Sequence, residues 1–196
     1  MKVFIERIIP NMCIHWIDKD EILASRNFTL YTSRDGGKTF NKLVDIGISF
    51  IHKLLSNFRV TSGFFRLGIR SLIKLRNSVI LAVANGRIFR IENEKVELVY
   101  SFDRGIGPLR DGICEDNKGN IYVGEYFPNN SRKYEIKLLK SEDNGKSWKT
   151  ICRFKKIRHI HCVLYDPFER LIWLCTGDRD EESSIMFSED GGECWK

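Results

Sequence analysis

Short runs in which apolar and polar residues alternate cover about half of the chain and predict an all-β fold. A period of two residues, with many β-branched side chains, is typical of strands that bury one face. The predicted strands are Met12–Asp18, Glu21–Arg26, Phe28–Ser33, Lys42–Gly47, Ile69–Leu75, Ser78–Ala84, Arg87–Glu92, Lys95–Phe102, Gly112–Glu115, Asn120–Glu125, Glu135–Ser141, Trp148–Phe154, His161–Tyr165, Leu171–Thr176 and Ser184–Ser188. They fall into four units of three or four strands, at about 12–47, 69–102, 110–154 and 159–196.

One short motif occurs three times, at Ser33–Phe40, Ser141–Trp148 and Ser188–Trp195. Its pattern is S-x-D-x-G-x-(T/S/C)-(W/F), in which the glycine suits a tight turn with positive φ. Serine and aspartate side chains are able to bond the backbone of a turn, and the closing aromatic ring packs over it. We therefore expect structural rather than catalytic roles at these positions. They are Ser33, Asp35, Gly37, Ser141, Asp143, Gly145, Trp148, Ser188, Asp190, Gly192 and Trp195.

The spacing of the motif gives the length of one unit. Asp143 and Asp190 are 47 residues apart, and Asp35 and Asp143 are 108 apart, about twice as far. The motif resembles the Asp-box, or bacterial neuraminidase repeat, of sialidases and related proteins. That resemblance implies a single domain with the β-propeller fold, built from four-stranded antiparallel blades. About four blade units are present, one of them without the motif and the last without its outer strand.

Two arrangements would complete such a ring. In the first, residues 2–9 form a strand that closes a four-bladed ring. In the second, which the usual six blades of sialidase relatives favour, this chain is part of a larger ring that a missing segment or a second copy completes. Residues 48–68 form a long connection between the first two units, and a short helix over 50–57 is one prediction for it.

In this architecture the loops opposite the motif turns carry ligand sites. Glu125 and Asp178 are the candidate catalytic pair, since glycoside cleavage uses two carboxyl groups. Arginines bind carboxylates and tyrosine stacks on apolar faces. The candidate ligand-binding residues are Arg66, Arg110, Asp111, Tyr126, Arg132, His159, His161, Arg179 and Asp180. Because two histidines fall short of a metal site, no metal and no cofactor is predicted.

Composition and charge bear on whether nucleic acid or a membrane is a partner. The net charge is +6 and the pI near 9.0, but the cations are scattered and no nucleic-acid-binding signature accompanies them. The six cysteines form no CxxC pair, and the N-terminus shows no secretory signal. We therefore expect reduced cysteines and a cytoplasmic location. No apolar run reaches the roughly 20 residues of a membrane helix, so neither nucleic acid nor a membrane is an expected partner.

The sequence supports two functional hypotheses. The first is a sialidase-like propeller that binds a glycan or another polar or anionic ligand on its loop face, with glycoside hydrolase activity as an option. The second is a non-catalytic scaffold for protein–protein interaction. The second is favoured by the absence of a clear sialidase arginine motif, since Phe65–Gly68 matches it only distantly and lacks the proline. A homo-oligomer is compatible with both hypotheses.

Overall fold

The computed structural model describes residues 12–47 and 68–196, and fifteen β-strands lie within them. The strands are β1 (Cys13–Ile17), β2 (Ile22–Arg26), β3 (Thr29–Ser33), β4 (Asn41–Asp45), β5 (Ile69–Lys74), β6 (Ile80–Ala84), β7 (Arg87–Glu92), β8 (Lys95–Ser101), β9 (Ile113–Glu115), β10 (Ile121–Gly124), β11 (Ile136–Ser141), β12 (Lys149–Phe154), β13 (Ile160–Asp166), β14 (Leu171–Thr176) and β15 (Ser184–Ser188). Every predicted strand is present, and most boundaries differ by one or two residues.

The strands form four sheets in which consecutive strands are neighbours. Strands β1–β4, β5–β8 and β9–β12 each make a four-stranded sheet, and β13–β15 make a three-stranded one. The pairs whose register is defined are antiparallel. These sheets confirm the predicted all-β fold of antiparallel blades, numbered 1 to 4 below. The chain divides into two compact units, with the boundary between Ile69 and Arg70.

Alternation along β10 explains the core of the second unit. Ile121 and Val123 lie in an apolar cluster with Leu81 of blade 2, whereas Tyr122 points the other way. Tyr122 lies in a second cluster with Ile160 of blade 4. A strand that is buried on both faces therefore joins two layers of apolar packing, each of which excludes water.

A glycine allows blades 3 and 4 to approach closely. A Cβ atom on Gly124, at the end of β10, would lie 2.4 Å from Cγ2 of Ile160 in β13. Only a residue without a side chain fits at this contact. This contact lies beside the loop face. One loop leaves β10 after Gly124, and another loop enters β13 at Ile160.

The repeated S-x-D-x-G turn shares three hydrogen bonds in blades 1, 3 and 4. The serine hydroxyl donates to the aspartate carboxylate, the glycine N–H donates to the serine hydroxyl, and the N–H four residues after the aspartate donates to its carboxylate. In blade 3, the Asp143 carboxylate accepts bonds from the Ser141 hydroxyl at 2.8 Å and the Ser147 hydroxyl at 2.6 Å. The same carboxylate accepts the backbone N–H groups of Lys146 and Ser147. Burial opposes ionisation, but these bonds outweigh it and lower the pKa of Asp143 from 3.8 to about 2. The Asp143 carboxylate thus accepts hydrogen bonds from backbone N–H groups of the turn that would otherwise need another partner.

Two of these turns rest on the preceding blade. Gly145 has φ of 79°, and a Cβ there would lie 2.7 Å from Leu81 of blade 2. The guanidinium Nε of Arg90, also in blade 2, donates to the carbonyl of Asn144 at 3.0 Å. In blade 4, a Cβ on Gly192 would lie 2.6 Å from Ile151 of blade 3. The turns therefore help hold consecutive blades together.

Blade 4 has three strands, as the sequence predicts. Beyond them, Lys196 exchanges two backbone hydrogen bonds with Phe187 of β15, both at 3.0 Å. The predictions for 2–9, 48–67 and Arg66 lie outside the described residues, so the proposals for ring closure stay predictions. Among residues 12–47 and 68–196 there is no helix long and apolar enough to cross a membrane.

Candidate functional site

Two histidines and an aspartate meet where β13 begins and β14 ends. The backbone N–H of Gly177 donates to the carbonyl of His159 at 3.1 Å, which continues the β13–β14 pairing by one step. The register shifts between Ile160 and Cys162, so His161 is an extra residue in the strand. Such a bulge changes the direction of a side chain. As a result His161 and His159 both reach Asp178, the residue after Gly177.

The two imidazoles approach the same carboxylate oxygen. Asp178 Oδ1 lies 2.8 Å from Nε2 of His161 and 3.1 Å from Nε2 of His159. The other oxygen, Oδ2, accepts a hydrogen bond from the guanidinium of Arg158. Nε2 of His161 also lies 2.8 Å from the carbonyl oxygen of Gly177. We call Arg158, His159, His161 and Asp178 the carboxylate cluster.

The carboxylate cluster shifts the titration of two of its members. Burial opposes ionisation of Asp178, but hydrogen bonds from Arg158 and His161 outweigh it and lower its pKa to about 2. Burial lowers the pKa of His159, with Asp178 acting in the opposite direction. At neutral pH the cluster therefore presents a fixed anion beside the guanidinium cation.

Tyr126 fixes the inner histidine of the cluster. Its ring stacks on the ring of His159, with centroids 4.1 Å apart and planes 30° apart. The guanidinium carbon of Arg70 lies 5.3 Å from the centroid of Tyr126. His159 is buried, whereas 38% of the His161 side chain and 27% of the Asp178 side chain are exposed. The outer part of the cluster thus faces solvent on a rigid base.

A second ion pair holds the two long loops together. Arg132, after β10, binds Glu182, before β15, through two contacts, one of them between Nε and Oε2 at 3.0 Å. The hydrogen bond from Arg132 is the main reason why the pKa of Glu182 falls to about 2. Glu182 Oε1 also accepts the backbone N–H of Asp178 at 3.3 Å. The pair therefore positions the loop that carries Asp178.

Glu125 lies directly after β10 and is buried. Its backbone N–H donates to the carbonyl of Lys137 at 3.0 Å, and its Oε2 accepts the N–H of Lys137 at 2.8 Å. Nζ of Lys137 lies 3.9 Å from Oε1 of Glu125 and 2.6 Å from Asp103. Burial raises the pKa of Glu125. Its catalytic role remains a prediction, and its contacts link β10 to β11.

The structure brings together Tyr126, His159, His161 and Asp178 of the predicted site residues. Arg110, Asp111, Arg179 and Asp180 are largely on the surface, and their side chains are outside the carboxylate cluster. Arg158 and Glu182 hold the site although no sequence motif marks them. Both residues act through contacts with other segments of the chain, Arg158 with Asp178 and Glu182 with Arg132, and a local sequence pattern does not indicate such contacts.

Three side chains of the cluster form a group suitable for a metal ion. The nearest ligand atoms of His159, His161 and Asp178 all lie within 4.8 Å of one another. The sequence identified the two histidines, but the third ligand comes from the end of another strand. All six cysteines have free thiols, and Cys13 and Cys194 are exposed.

No protein-family model matches the chain, and no curated protein matches it. Several solved structures match the chain over most of its length. An extracellular domain from B. thetaiotaomicron has a TM-score of 0.59 and 13% identity, with 90% of this chain and 21% of that chain covered. The β-propeller domain of Cps50 (Swd1) from Myceliophteria thermophila has a TM-score of 0.56 and 11% identity, over 94% and 58%. The GH74 enzyme of Niastella koreensis has a TM-score of 0.52 and 14% identity, over 90% and 22%.

The chain spans about a fifth of the length of the B. thetaiotaomicron and N. koreensis proteins. At these levels of identity the likeness concerns the fold. The antiparallel four-stranded sheets in consecutive order agree with it. The chain therefore has a β-propeller fold.

Proposed function

We propose that this β-propeller binds a glycan or another small polar ligand on its loop face, at the carboxylate cluster and Tyr126. The observation that carries the proposal is the convergence of Arg158, His161 and Asp178, each partly exposed, on one point of the surface. We also propose that the three repeated turns are Asp-box turns and that the propeller is sialidase-like.

The chemistry of the cluster suits hydroxyl and carboxylate groups. A sugar hydroxyl both donates and accepts, and Asp178 supplies an acceptor while Arg158 supplies donors. A ligand carboxylate would use the guanidinium, which is the side chain best suited to that group. The rigid base of His159 and Tyr126 limits the conformational entropy that binding costs. A saccharide, whose hydroxyl groups both donate and accept, is therefore the ligand class that fits best.

A more specific proposal is that the protein hydrolyses glycosides, with Glu125 as the general acid and Asp178 as the ionised carboxylate. The raised pKa of Glu125 and the lowered pKa of Asp178 are the pattern that such a pair needs. The buried position of Glu125 against Lys137 favours binding without cleavage. The match to a GH74 enzyme supports carbohydrate as the ligand class for the proposal, not the reaction.

A saccharide panel tests the proposal. Neutral sugars, uronic acids and sialosides are titrated by calorimetry in EDTA against the wild type, His161→Ala and Asp178→Asn. Asp180→Asn is the matched control, because it removes an exposed carboxylate two residues away in the same loop. Loss of a saccharide's affinity in the first two variants and not in the control supports the site. No binding by any saccharide contradicts it and favours the interaction scaffold.

Chromogenic glycosides, sialosides included, separate binding from catalysis. Turnover by the wild type that disappears in Glu125→Gln supports the hydrolase. Saccharide binding without turnover leaves a lectin-like propeller. The two measurements are independent, since Glu125 lies below the surface at which the ligand is proposed to bind.

A further inference from the structure

We propose that His159, His161 and Asp178 bind a divalent transition-metal ion, with Zn²⁺ as the reference ion. The ligands would be Nε2 of each imidazole and Oδ1 of the carboxylate. Two neutral imidazoles and a carboxylate are a ligand set that zinc accepts in proteins. This inference goes beyond the proposed function, because metal binding is measured with no saccharide present.

The spacing of the three atoms is close to what such an ion needs. Bonds of about 2.0–2.1 Å in a tetrahedral site place the ligand atoms about 3.3 Å apart. The observed separations from Asp178 Oδ1 are 2.8 Å to His161 and 3.1 Å to His159. All three ligand atoms lie within 4.8 Å of one another, so small movements of the side chains would bring them to the spacing of a tetrahedral site.

The surroundings hold the ligands in place. Stacking on Tyr126 sets the ring plane of His159, and the bulge at His161 sets the direction of the second imidazole. The guanidinium of Arg158 occupies Oδ2 of Asp178 and leaves Oδ1 toward the histidines. Contacts of this kind around a metal site orient its ligands.

The arrangement also predicts an open coordination position. Three protein ligands on zinc leave the fourth position to water or to an oxygen atom of a bound molecule. The exposed sides of His161 and Asp178 face solvent, so this position would be accessible. An ion here would be able to bind a carboxylate or a hydroxyl group directly.

Arg158 makes the proposal sharply testable, because its charge opposes a metal ion while its hydrogen bond orients Asp178. At a few ångströms, repulsion between a guanidinium and a divalent ion outweighs the loss of one orienting bond. Arg158→Gln keeps a donor and removes the charge. We therefore expect Arg158→Gln to bind zinc about tenfold more tightly than the wild type.

Zinc and cobalt titrations test the site. The background carries Cys13→Ser and Cys194→Ser, which removes the exposed thiols as competing ligands. In that background we expect one equivalent of Zn²⁺ by calorimetry, and visible absorption from Co²⁺ in a low-coordinate site. His161→Ala and Asp178→Asn should each weaken zinc binding at least about tenfold, since even outer contacts of a metal site change affinity by that factor.

Asp180→Asn is the control and should bind zinc like the background protein, and circular dichroism checks that each variant is folded. Zinc binding that is absent, or that is unchanged in folded His161→Ala and Asp178→Asn, overturns the proposal. Failure here would leave saccharide binding in EDTA untouched, and failure of saccharide binding would leave the zinc titration untouched.

Discussion

Replacement of Glu125 separates its structural contacts from a catalytic role. Glu125→Ala removes the acceptor for the backbone N–H of Lys137, whereas Glu125→Gln keeps an oxygen in its place. Both variants remove the negative charge. Their difference therefore isolates the hydrogen bond and the side-chain volume, because the effect of the charge cancels.

Two effects set the size of that difference between the alanine and glutamine variants. A buried N–H left without a partner costs about 1–3 kcal/mol. The lost side-chain atoms add about 1 kcal/mol of packing. We expect the free energy of unfolding of Glu125→Ala to be about 2–4 kcal/mol below that of Glu125→Gln. Urea unfolding at pH 7, followed by tryptophan fluorescence, measures both values.

The comparison of Glu125→Gln with the wild type depends on pH. Burial raises the folded-state pKa of Glu125 above its usual 4.5. A carboxyl group with a raised pKa contributes stability below its unfolded-state pKa and loses it as the pH rises through the folded value. The wild type should therefore lose stability relative to Glu125→Gln as the pH rises above 4.5. Equal stability of the alanine and glutamine variants, or the opposite pH trend, would refute the structural role.

Three further predictions concern the blades. Asp143→Ala should lower the free energy of unfolding by about 2 kcal/mol, because its backbone donors lose a charged acceptor to water, while the exposed Glu142→Gln should change it much less. Gly124→Ala should cost about 1–3 kcal/mol in a thermal melt, through overpacking against Ile160, and an unchanged melting temperature would contradict the close contact. The pKa values of Asp143 and Asp190 are lowered to about 2, so their contribution should be present above pH 3.8 and lost as the pH falls toward 2; acid unfolding of the double alanine variant should lack that step.

The strands and the repeated turn were predictable because their signals are local. The side chains of β10 alternate in direction as in any strand, so Ile121 and Val123 face one apolar cluster and Tyr122 faces the other. The turn at Asp143 is formed by residues within four positions of that aspartate. Sequence periodicity and turn chemistry act over the same short range.

The carboxylate cluster was only partly predictable because it depends on contacts between distant segments. The sequence placed His159 and His161 on one strand, but their approach to Asp178 depends on the β13–β14 register and on the bulge at His161. Arg132 and Glu182 are 50 residues apart, and nothing in either loop indicates the other. Glu125 was predicted as the last residue of a strand and as a catalytic residue, and its bond to Lys137, which extends the β10–β11 pairing, holds it in a buried position.

The imidazole NMR signals test the proposed ligand site most directly. The chain has four histidines, so its spectrum is simple, and His159→Gln and His161→Ala assign two of the signals. Titration with N-acetylneuraminic acid and with galacturonic acid, in EDTA, should shift the signals of His159 and His161. Binding that leaves both cluster histidines unshifted, or the absence of any saccharide-dependent shift, would contradict the site.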